Sequence, residues 1–379
     1  MFLRKSLYSL TTPWVGSILK ETRGIPFFLV SRHASSKSNW KKQFGKKSKS
    51  PSPSQETKNE SEFDLGDIFN ATKNIKVWDA IEEPRLMKRL KNGEPNNRNC
   101  DLLYGYSVVL PALESKRRVP YRLFYRGETE TTKKEDSDKL DTILGLAEEL
   151  QLPIQKMDRR ELNEFTGNRP HQGVILKTDR LEPITINRLS KVDDETYYAV
   201  SGSGEYHFKS EQSPIWLALD QVVDPQNLGA ILRSAYYFGI DGVVFCARNS
   251  APLSPVVSKA SSGALEVMDV YSVKNMMRFL RESQENGWTV IGASAEKSSD
   301  GRQAIDPVAM SEINSPRILV MGNEGFGLRS LVSESCQIHV SIPSTNPTIA
   351  PFLDSLNVSV ATGILLHMLA VNRKPSTIA

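Results

Sequence analysis

The second half of the chain alternates short apolar segments with longer amphipathic ones, and this pattern restricts the fold more than any other feature. Apolar segments of strand length include residues 215–224 and 317–322, and helix-like segments include residues 227–239 and a serine-rich stretch over 254–263. Strands that alternate with helices form a mostly parallel sheet with helices on both faces. The sequence therefore predicts an α/β domain over residues 213–375.

A smaller α/β unit is predicted ahead of it, over residues 97–180. Residues 139–150 carry apolar side chains at positions i, i+3, i+4, i+7 and i+10, which is typical of an amphipathic helix. The aromatic and β-branched run RVPYRLFYR, residues 118–126, is typical of a strand. Residues 181–212 between the two units are polar, and we interpret them as a connector with a hairpin at their Gly-Ser-Gly sequence.

The amino-terminal region is basic and differs from the rest of the chain. Residues 1–54 contain eleven Lys and Arg residues and one acidic residue, whereas the remainder carries 37 basic and 43 acidic residues. The first 35 residues, 1–35, have the composition of a mitochondrial transit peptide, and a disordered basic tail is the alternative. Residues 36–96 are predicted to be a disordered or extended linker. Because the folded body is mildly acidic, any RNA-binding surface must be a local patch.

Composition disfavours two further classes of protein. Mean hydropathy is −0.36, and no apolar run reaches the roughly 20 residues of a membrane span, so membrane insertion is not expected. The three cysteines, Cys100, Cys246 and Cys336, are far apart and lack CxxC spacing. This arrangement supports neither a zinc site nor a disulfide framework.

Glycine and polar residues are concentrated at two turns near the carboxyl terminus. The first is GNEGFG, residues 322–327, and the second lies between the strand IHVSIP, residues 338–343, and the helix-like VSVATGILLHML. Turns that follow parallel strands have free backbone groups at the edge where ligands bind. The intervening helix and strand are expected to bring the two turns side by side. A dinucleotide-binding fingerprint is disfavoured, because its glycines follow the first strand of a domain.

Three segments in a fixed order resemble the SpoU branch of the SPOUT RNA ribose methyltransferases. They are NLGAILRSA at residues 227–235, MGNEGFGL at 321–328, and the SIP turn at 341–343 with SLNVSVATGILL at 355–366. The upstream segments LLYGYSVVLPAL and HQGV resemble the small, ribosomal-protein-like α/β substrate-binding domain of that family. The resemblance implies a carboxyl-terminal SPOUT domain with a parallel sheet and a deep trefoil knot. It also implies a homodimer whose interface includes the last helix.

The same resemblance implies S-adenosylmethionine (SAM) as the methyl donor and an RNA ribose 2′-hydroxyl as the acceptor, with no metal. The family's catalytic residues map onto Arg233, Asn227, Glu324, Ser355 and Asn357. Its cofactor-binding residues map onto Met321, Gly322, Asn323, Gly327, Ile342 and Leu356. The chain departs from the family pattern at residues 344–354, where the loop is longer than usual.

Considered without the resemblance, three of these side chains have simpler interpretations. Asn227 and Ser355 each begin a helix-like segment and are expected to cap it. Arg233 lies between Leu232 and Ala235, on a face expected to pack, so it needs a partner. That partner is either an internal carboxylate or an RNA phosphate, and the residues alone leave both open.

The resemblance and the leader together imply a substrate. They imply an enzyme of the mitochondrial matrix that methylates a guanosine in the peptidyl-transferase loop of the large-subunit rRNA. The alternatives are a mitochondrial tRNA ribose methyltransferase and a non-catalytic ribosome-assembly protein that binds RNA. RNA recognition is expected along residues 116–126, a basic stretch with interleaved aromatic residues. A solvated strand with a buried aromatic face is equally consistent with that stretch.

Overall fold

The structure is a computed structural model that describes residues 100–127, 134–294, 304–346, 348, 355–371 and 373. The predicted leader, residues 1–35, and the predicted linker, residues 36–96, lie outside the described residues. Among the helices that are described, none is both long enough and apolar enough to cross a bilayer.

A four-stranded mixed sheet organises the first part of the described chain. In chain order its unit contains β1 (Cys100–Tyr104), α1 (Tyr106–Ser115), β2 (Pro120–Tyr125), α2 (Lys134–Glu149), β3 (Ile154–Lys156), α3 (Arg159–Thr166) and β4 (Val174–Asp179). The strands lie in the order β1-β4-β2-β3, with β4 antiparallel to β1 and β2, and β3 parallel to β2. We call this part of the chain the small unit.

Two helices of the small unit follow from local sequence. In α2 the buried side chains lie three and four residues apart, as predicted, and the helix begins at Lys134, before the predicted start. A capping box fixes the start of α3, because the Asp158 carboxylate accepts from the Glu161 N–H and the Glu161 carboxylate accepts from the Asp158 N–H, both at 2.8 Å. Gly167 ends the helix in the left-handed conformation.

A larger sheet dominates the second part of the described chain. Its unit contains β5 (Ile184–Thr185), β6 (Arg188–Leu189), β7 (Thr196–Ser201), β8 (Gly204–Lys209), β9 (Ile215–Leu219), α4 (Pro225–Tyr237), β10 (Gly242–Cys246), α5 (Pro255–Ala260), α6 (Ala264–Val267), β11 (Val270–Val273), α7 (Met276–Glu285), β12 (Thr289–Ala293), α8 (Pro307–Ser311), β13 (Arg317–Met321), α9 (Ser330–Glu334), β14 (Ile338–Val340) and α10 (Val358–Val371). Seven described strands lie in the order β14-β12-β13-β9-β10-β11-β5, and every neighbouring pair is parallel. The predicted α/β class with a parallel sheet is confirmed.

Strand β9 is buried on both faces and separates two hydrophobic cores. Ile215, Leu217 and Leu219 belong to the core that includes α4 and α10. Trp216 and Ala218 belong to the opposite core, which includes α7. Successive side chains of a strand point to opposite faces, so one five-residue apolar run supplies both cores.

Residues 181–212 pack against this sheet as well as connecting the two units. Strand β5 extends the parallel sheet, and β6, β7 and β8 form an antiparallel sheet of their own within the described residues. The expected hairpin joins β7 to β8. Tyr197 of β7 is fully buried, and its hydroxyl accepts a hydrogen bond from Trp216 Nε1 at 2.9 Å. The segment therefore covers part of the sheet face on which α7 packs.

The serine-rich segment predicted as a helix over residues 254–263 is helical only over α5, so the predicted end of the helix was wrong. A second short helix, α6, begins after the segment at Ala264. Between them, Ser262 has a φ of 53° and Gly263 a φ of 90°. Left-handed residues cannot continue a right-handed helix, so the chain turns here.

A buried ion pair joins the small unit to the parallel-sheet unit. Arg118 is 1% exposed, and its guanidinium donates to the Glu266 carboxylate at 2.7 Å and to the Asp101 carboxylate at 2.9 Å. Its neighbour Arg117 donates to the Asp269 carboxylate at 2.8 Å. Both arginines belong to the basic stretch expected to recognise RNA, so that expectation is wrong for these two. A run of cations looks the same in sequence whether its partners are phosphates or distant carboxylates.

Replacing Arg118 by alanine is expected to lower the free energy of unfolding by about 3–5 kcal/mol, because the buried Glu266 charge loses its partner. Chemical denaturation followed by circular dichroism measures the change. Arg278→Ala is the control, since that exposed arginine pairs with Glu282 along one face of α7, and little change in the unfolding midpoint is expected. A wild-type midpoint for Arg118→Ala would contradict the assignment of this ion pair.

Candidate active site at the carboxyl edge of the parallel sheet

Three loops leave the parallel sheet at the same edge. They follow β9, β13 and β14, and the carboxyl ends of parallel strands lie together. Strand β13 pairs with β9 along its whole length, so the loops after these two strands are direct neighbours. Strand β14 pairs with β12 instead. One strand therefore separates the two polar turns that were expected to lie side by side.

Three polar side chains from this edge form a continuous hydrogen-bond chain, which we call the amide chain. Asn357 Nδ2 donates to Asn227 Oδ1 at 3.1 Å, and Asn227 Nδ2 donates to Glu324 Oε1 at 3.1 Å. Asn357 Oδ1 accepts from the backbone N–H of Ser359 at 2.9 Å. A backbone N–H only donates and a carboxylate only accepts, so the two ends fix the orientation of both amides. The structure thus brings together three of the five predicted catalytic residues.

The turn after β13 is closed by its own backbone. Asn323 and Gly327 exchange N–H···O=C bonds of 2.9 and 3.0 Å, and Asn323 Oδ1 accepts from the N–H groups of Gly325 and Phe326. A Cβ on Gly322 would overlap the backbone of Gly327. The lack of a side chain at Gly322 is therefore needed for the fold of the turn itself.

A buried carboxylate that sequence analysis missed ties this turn to the loop after β9. Asp220 is fully buried, accepts from Arg329 Nε at 3.0 Å, and donates its backbone N–H to the Met321 carbonyl at 2.8 Å. Cys246 donates its thiol to the same carboxylate at 3.3 Å, and burial together with the Asp220 charge raises the pKa of this thiol to about 12. The hydrogen bond to Asp220 raises the pKa of Arg329. The available signal was an acidic residue directly after five apolar ones.

Arg233 does not lie on the packed face that was predicted for it. It is exposed, and its Nη1 donates to the Ser262 hydroxyl at 2.9 Å. The buried residues of α4 recur three and four positions apart, and position 233 falls on the opposite side of the helix. Its partner among the described residues is a hydroxyl and not the internal carboxylate considered above. Arg233 also lies six residues beyond Asn227, about 9 Å along the helix axis, so it stands apart from the amide chain.

Two residues expected to cap helices do not have that position. Helix α4 begins at Pro225, and the Asp224 carboxylate accepts from the backbone of its first turn at 2.8 Å, so Asn227 lies inside the helix. Helix α10 begins directly after Asn357, whose side chain caps it, and Ser355 lies outside. Both predictions were wrong because the N-cap is the residue directly before the first helical residue. In α4 the first helical residue is Pro225, so the helix begins upstream of Asn227.

The residues expected to hold a cofactor lie at the same edge and differ in exposure. Met321 is buried, Ile342 packs half-buried against the core, and Leu356 is 49% exposed. Asn323 Nδ2 donates to the Gln221 carbonyl at 2.9 Å, which is a second tie between the loops after β9 and β13. Apolar side chains beside an amide chain can hold a ligand with both apolar and polar parts. Their contact with a cofactor stays a prediction.

Two family descriptions match the chain in the order of its two units. The family described as RNA 2′-O ribose methyltransferase substrate binding matches residues 102–184. The SpoU rRNA Methylase family matches residues 214–367.

Named relatives cover most of the chain. The mitochondrial rRNA methyltransferase 1 of Homo sapiens is 36% identical over 284 residues, which are 74% of this chain and 75% of that protein. The protein of the same name from Dictyostelium discoideum is 38% identical over 58% of this chain, and the match spans only 42% of its length. The 23S rRNA (guanosine-2′-O-)-methyltransferase RlmB of Pseudomonas putida is 33% identical over 70% of this chain and 93% of that protein.

A solved structure shares the fold. The AdoMet-bound rRNA methyltransferase from Sinorhizobium meliloti superposes with a TM-score of 0.52 at 18% identity, over 76% of this chain and 95% of that chain. The likeness at this identity concerns the fold alone. The extent of the match to the human and Pseudomonas relatives, together with the two family matches, shows that this chain belongs to the SpoU rRNA methylase family.

Proposed function

We propose that this protein transfers a methyl group from SAM to the 2′-hydroxyl of a guanosine in the peptidyl-transferase loop of mitochondrial large-subunit rRNA. The observation that carries the proposal is the amide chain, which joins Asn227, Glu324 and Asn357 beside the closed glycine turn. The relatives support the substrate, since one is named a mitochondrial rRNA methyltransferase and another a 23S rRNA guanosine-2′-O-methyltransferase. The same names and the transit-like leader support a location in the mitochondrial matrix.

The edge of the sheet has groups that fit SAM. Leu356 and Ile342 can contact the apolar parts of the ligand, and residues 322–327 present a compact backbone turn. The related Sinorhizobium structure is AdoMet-bound. When bound, the cofactor supplies a methyl group already activated on a sulfonium sulfur, so the proposal includes no metal. Glu324, oriented by Asn227, is an exposed carboxylate available to a hydroxyl or amino group of a ligand.

The residues of this chain must make a weak nucleophile react. A ribose 2′-hydroxyl is a weak acid, so its reaction depends on positioning and on stabilisation of negative charge on its oxygen. A guanidinium, with a pKa above about 12, is a poor proton acceptor. Arg233 therefore binds the adjacent phosphate and stabilises the developing alkoxide. Because it is exposed and distant from the amide chain of its own subunit, we assign it to the site of a neighbouring subunit.

A homodimer provides that neighbour. On α10, Val360, Ile364 and Val371 form one stripe and are 51%, 39% and 65% exposed, and Tyr237 at the end of α4 is 82% exposed. Exposed apolar residues that cluster in this way mark interaction surfaces. Sedimentation equilibrium is expected to show a dimer for the wild-type protein and a monomer for Ile364→Glu. An Ile364→Glu protein that stays dimeric would place the interface elsewhere.

The deep trefoil knot is part of the same proposal. Its support is the strand order, in which β14 lies outside β12 while α10 returns to pack on α4. Stretching of the chain from both ends in optical tweezers is expected to leave a contour length shorter than that of an unknotted chain. A full contour length would exclude the knot.

Gly322→Ala is expected to weaken SAM binding at least tenfold, because the new Cβ overlaps the backbone of Gly327 and opens the turn. Isothermal titration calorimetry with SAM measures the dissociation constant. Gly325→Ala is the matched control, since a Cβ there meets only Asn323 Oδ1, at 3.5 Å. Equal affinities for the two variants would show that the turn does not form the cofactor site.

Arg233→Ala is expected to lower methyl transfer by about two to three orders of magnitude, the range seen when a charge-stabilising donor is removed. The measurement is transfer of tritiated methyl from SAM to a transcript of mitochondrial large-subunit rRNA. The dissociation constant for SAM is expected to stay unchanged, because Arg233 lies apart from the turn. Arg278→Ala removes a surface arginine on α7 and serves as the control. Full activity of Arg233→Ala would overturn the role of this arginine.

A further inference from the structure

Ser262 contacts Arg233, the proposed catalytic arginine, and lies close to the contact between the two units. Its hydroxyl accepts from Arg233 Nη1 at 2.9 Å. Ser262 belongs to the turn between α5 and α6, and these are the helices against which the small unit packs. None of the short segments that carry the family resemblance in the sequence includes this serine.

The backbone at Ser262 is held in an unfavourable conformation. Its φ is 53°, and the following Gly263 has a φ of 90°. The N–H groups of Ser262 and Gly263 donate to the carbonyls of Lys259 and Ser258, at 3.1 and 3.0 Å, which closes the end of α5. Non-glycine residues rarely adopt left-handed φ values, and such residues persist where the surrounding structure holds them. This conformation places the exposed Ser262 hydroxyl against Arg233.

The small unit is the part of the structure that holds this turn. A Cβ on Gly263 would overlap the carbonyl oxygen of Ser107 in α1 and would lie 2.7 Å from Pro111 Cγ. Immediately beyond the turn, Glu266 accepts from Arg118 of the small unit at 2.7 Å and from the Ser258 hydroxyl at 2.6 Å. The turn is therefore fixed between a backbone contact on one side and a buried ion pair on the other.

We propose that Ser262 is a positioning residue for Arg233, and that docking of the small unit on Gly263 sets the conformation of Ser262. The proposal rests on the proposed function of Arg233. In this proposal a continuous series of contacts connects the region matched as RNA substrate-binding to the arginine. The contacts run from α1 through Gly263 and Ser262 to the Arg233 guanidinium. Placement of the small unit thereby sets the orientation of the arginine.

Ser262→Ala and Ser262→Gly separate the hydroxyl from the backbone. Both remove the hydrogen-bond acceptor, and glycine also relieves the left-handed strain that alanine retains. Both variants are expected to lower kcat about three- to tenfold, the effect of losing one hydrogen bond, although Ser262→Gly should unfold at a higher denaturant concentration than Ser262→Ala. KM for the rRNA transcript and the dissociation constant for SAM should stay at wild-type values.

Ser262→Asn tests for rescue. Asparagine tolerates left-handed φ better than other non-glycine residues and carries an acceptor oxygen. It is expected to recover at least half of the wild-type kcat. Wild-type kcat in both Ser262→Ala and Ser262→Gly would overturn the positioning role, and so would a kcat that follows stability rather than the presence of an acceptor.

Gly263→Ala tests the contribution of the small unit. The added Cβ pushes against Ser107 and should lower kcat at least threefold in full-length protein at a temperature where it is fully folded. Gly287→Ala is the matched control, because Gly287 has a φ of 87° and a Cβ there meets nothing within 4 Å. Equal kcat values for these two variants would overturn the coupling between small unit and arginine.

Arg233→Ala, assayed in parallel, distinguishes a failure of the positioning role of Ser262 from a failure of the proposed role of Arg233. If Arg233→Ala is inactive and the Ser262 variants have wild-type kcat, the positioning role fails and the proposed function stands. If Arg233→Ala is fully active, the assigned role of the arginine fails, and Ser262 has no catalytic group to position.

Discussion

The amide of Asn227 joins two segments that lie 97 and 130 residues away in the chain, and the candidate site is arranged around this link. An asparagine amide has a donor end and an acceptor end, and here each end has one partner of fixed polarity. The Asn227 amide nitrogen donates to the carboxylate of Glu324. The Asn227 amide oxygen accepts from the amide of Asn357, which also caps α10. Changing any of the three leaves a polar group at the edge of the sheet without its match.

The amide chain requires that the loops already lie together, and two charge pairs, each with a fully buried carboxylate, provide this. Asp220 and Arg329 hold the glycine turn to the loop after β9, and Arg118 and Glu266 hold the small unit to the turn that bears Ser262. Burial of an unpaired charge is unfavourable by several kcal/mol, so each pair specifies one arrangement of its two segments. The geometry of the exposed site thus depends on two fully buried carboxylates, Asp220 and Glu266.

Patterns of neighbouring residues in the sequence predicted those elements whose formation depends mainly on neighbouring residues. The parallel sheet follows from alternating strands and helices, and the hairpin between β7 and β8 follows from its Gly-Ser-Gly turn. The helix caps were predicted wrongly by a few residues, because proline at the first position of α4 made Asp224 the cap instead of Asn227. The partners of Arg233 and Arg118 could not be predicted, since Ser262 and Glu266 lie 29 and 148 residues away and sequence spacing carries no information on such contacts.

The proposed reaction at this site is methylation of a ribose of the mitochondrial large-subunit rRNA. Nucleotide-resolution mapping of 2′-O-methyl groups in mitochondrial RNA, from cells with and without this protein, tests it most directly. In cells that lack the protein, one guanosine in the peptidyl-transferase loop of the large-subunit rRNA is expected to lose its 2′-O-methyl group. An unchanged large-subunit rRNA, with a ribose methyl group missing from a mitochondrial tRNA instead, would contradict it.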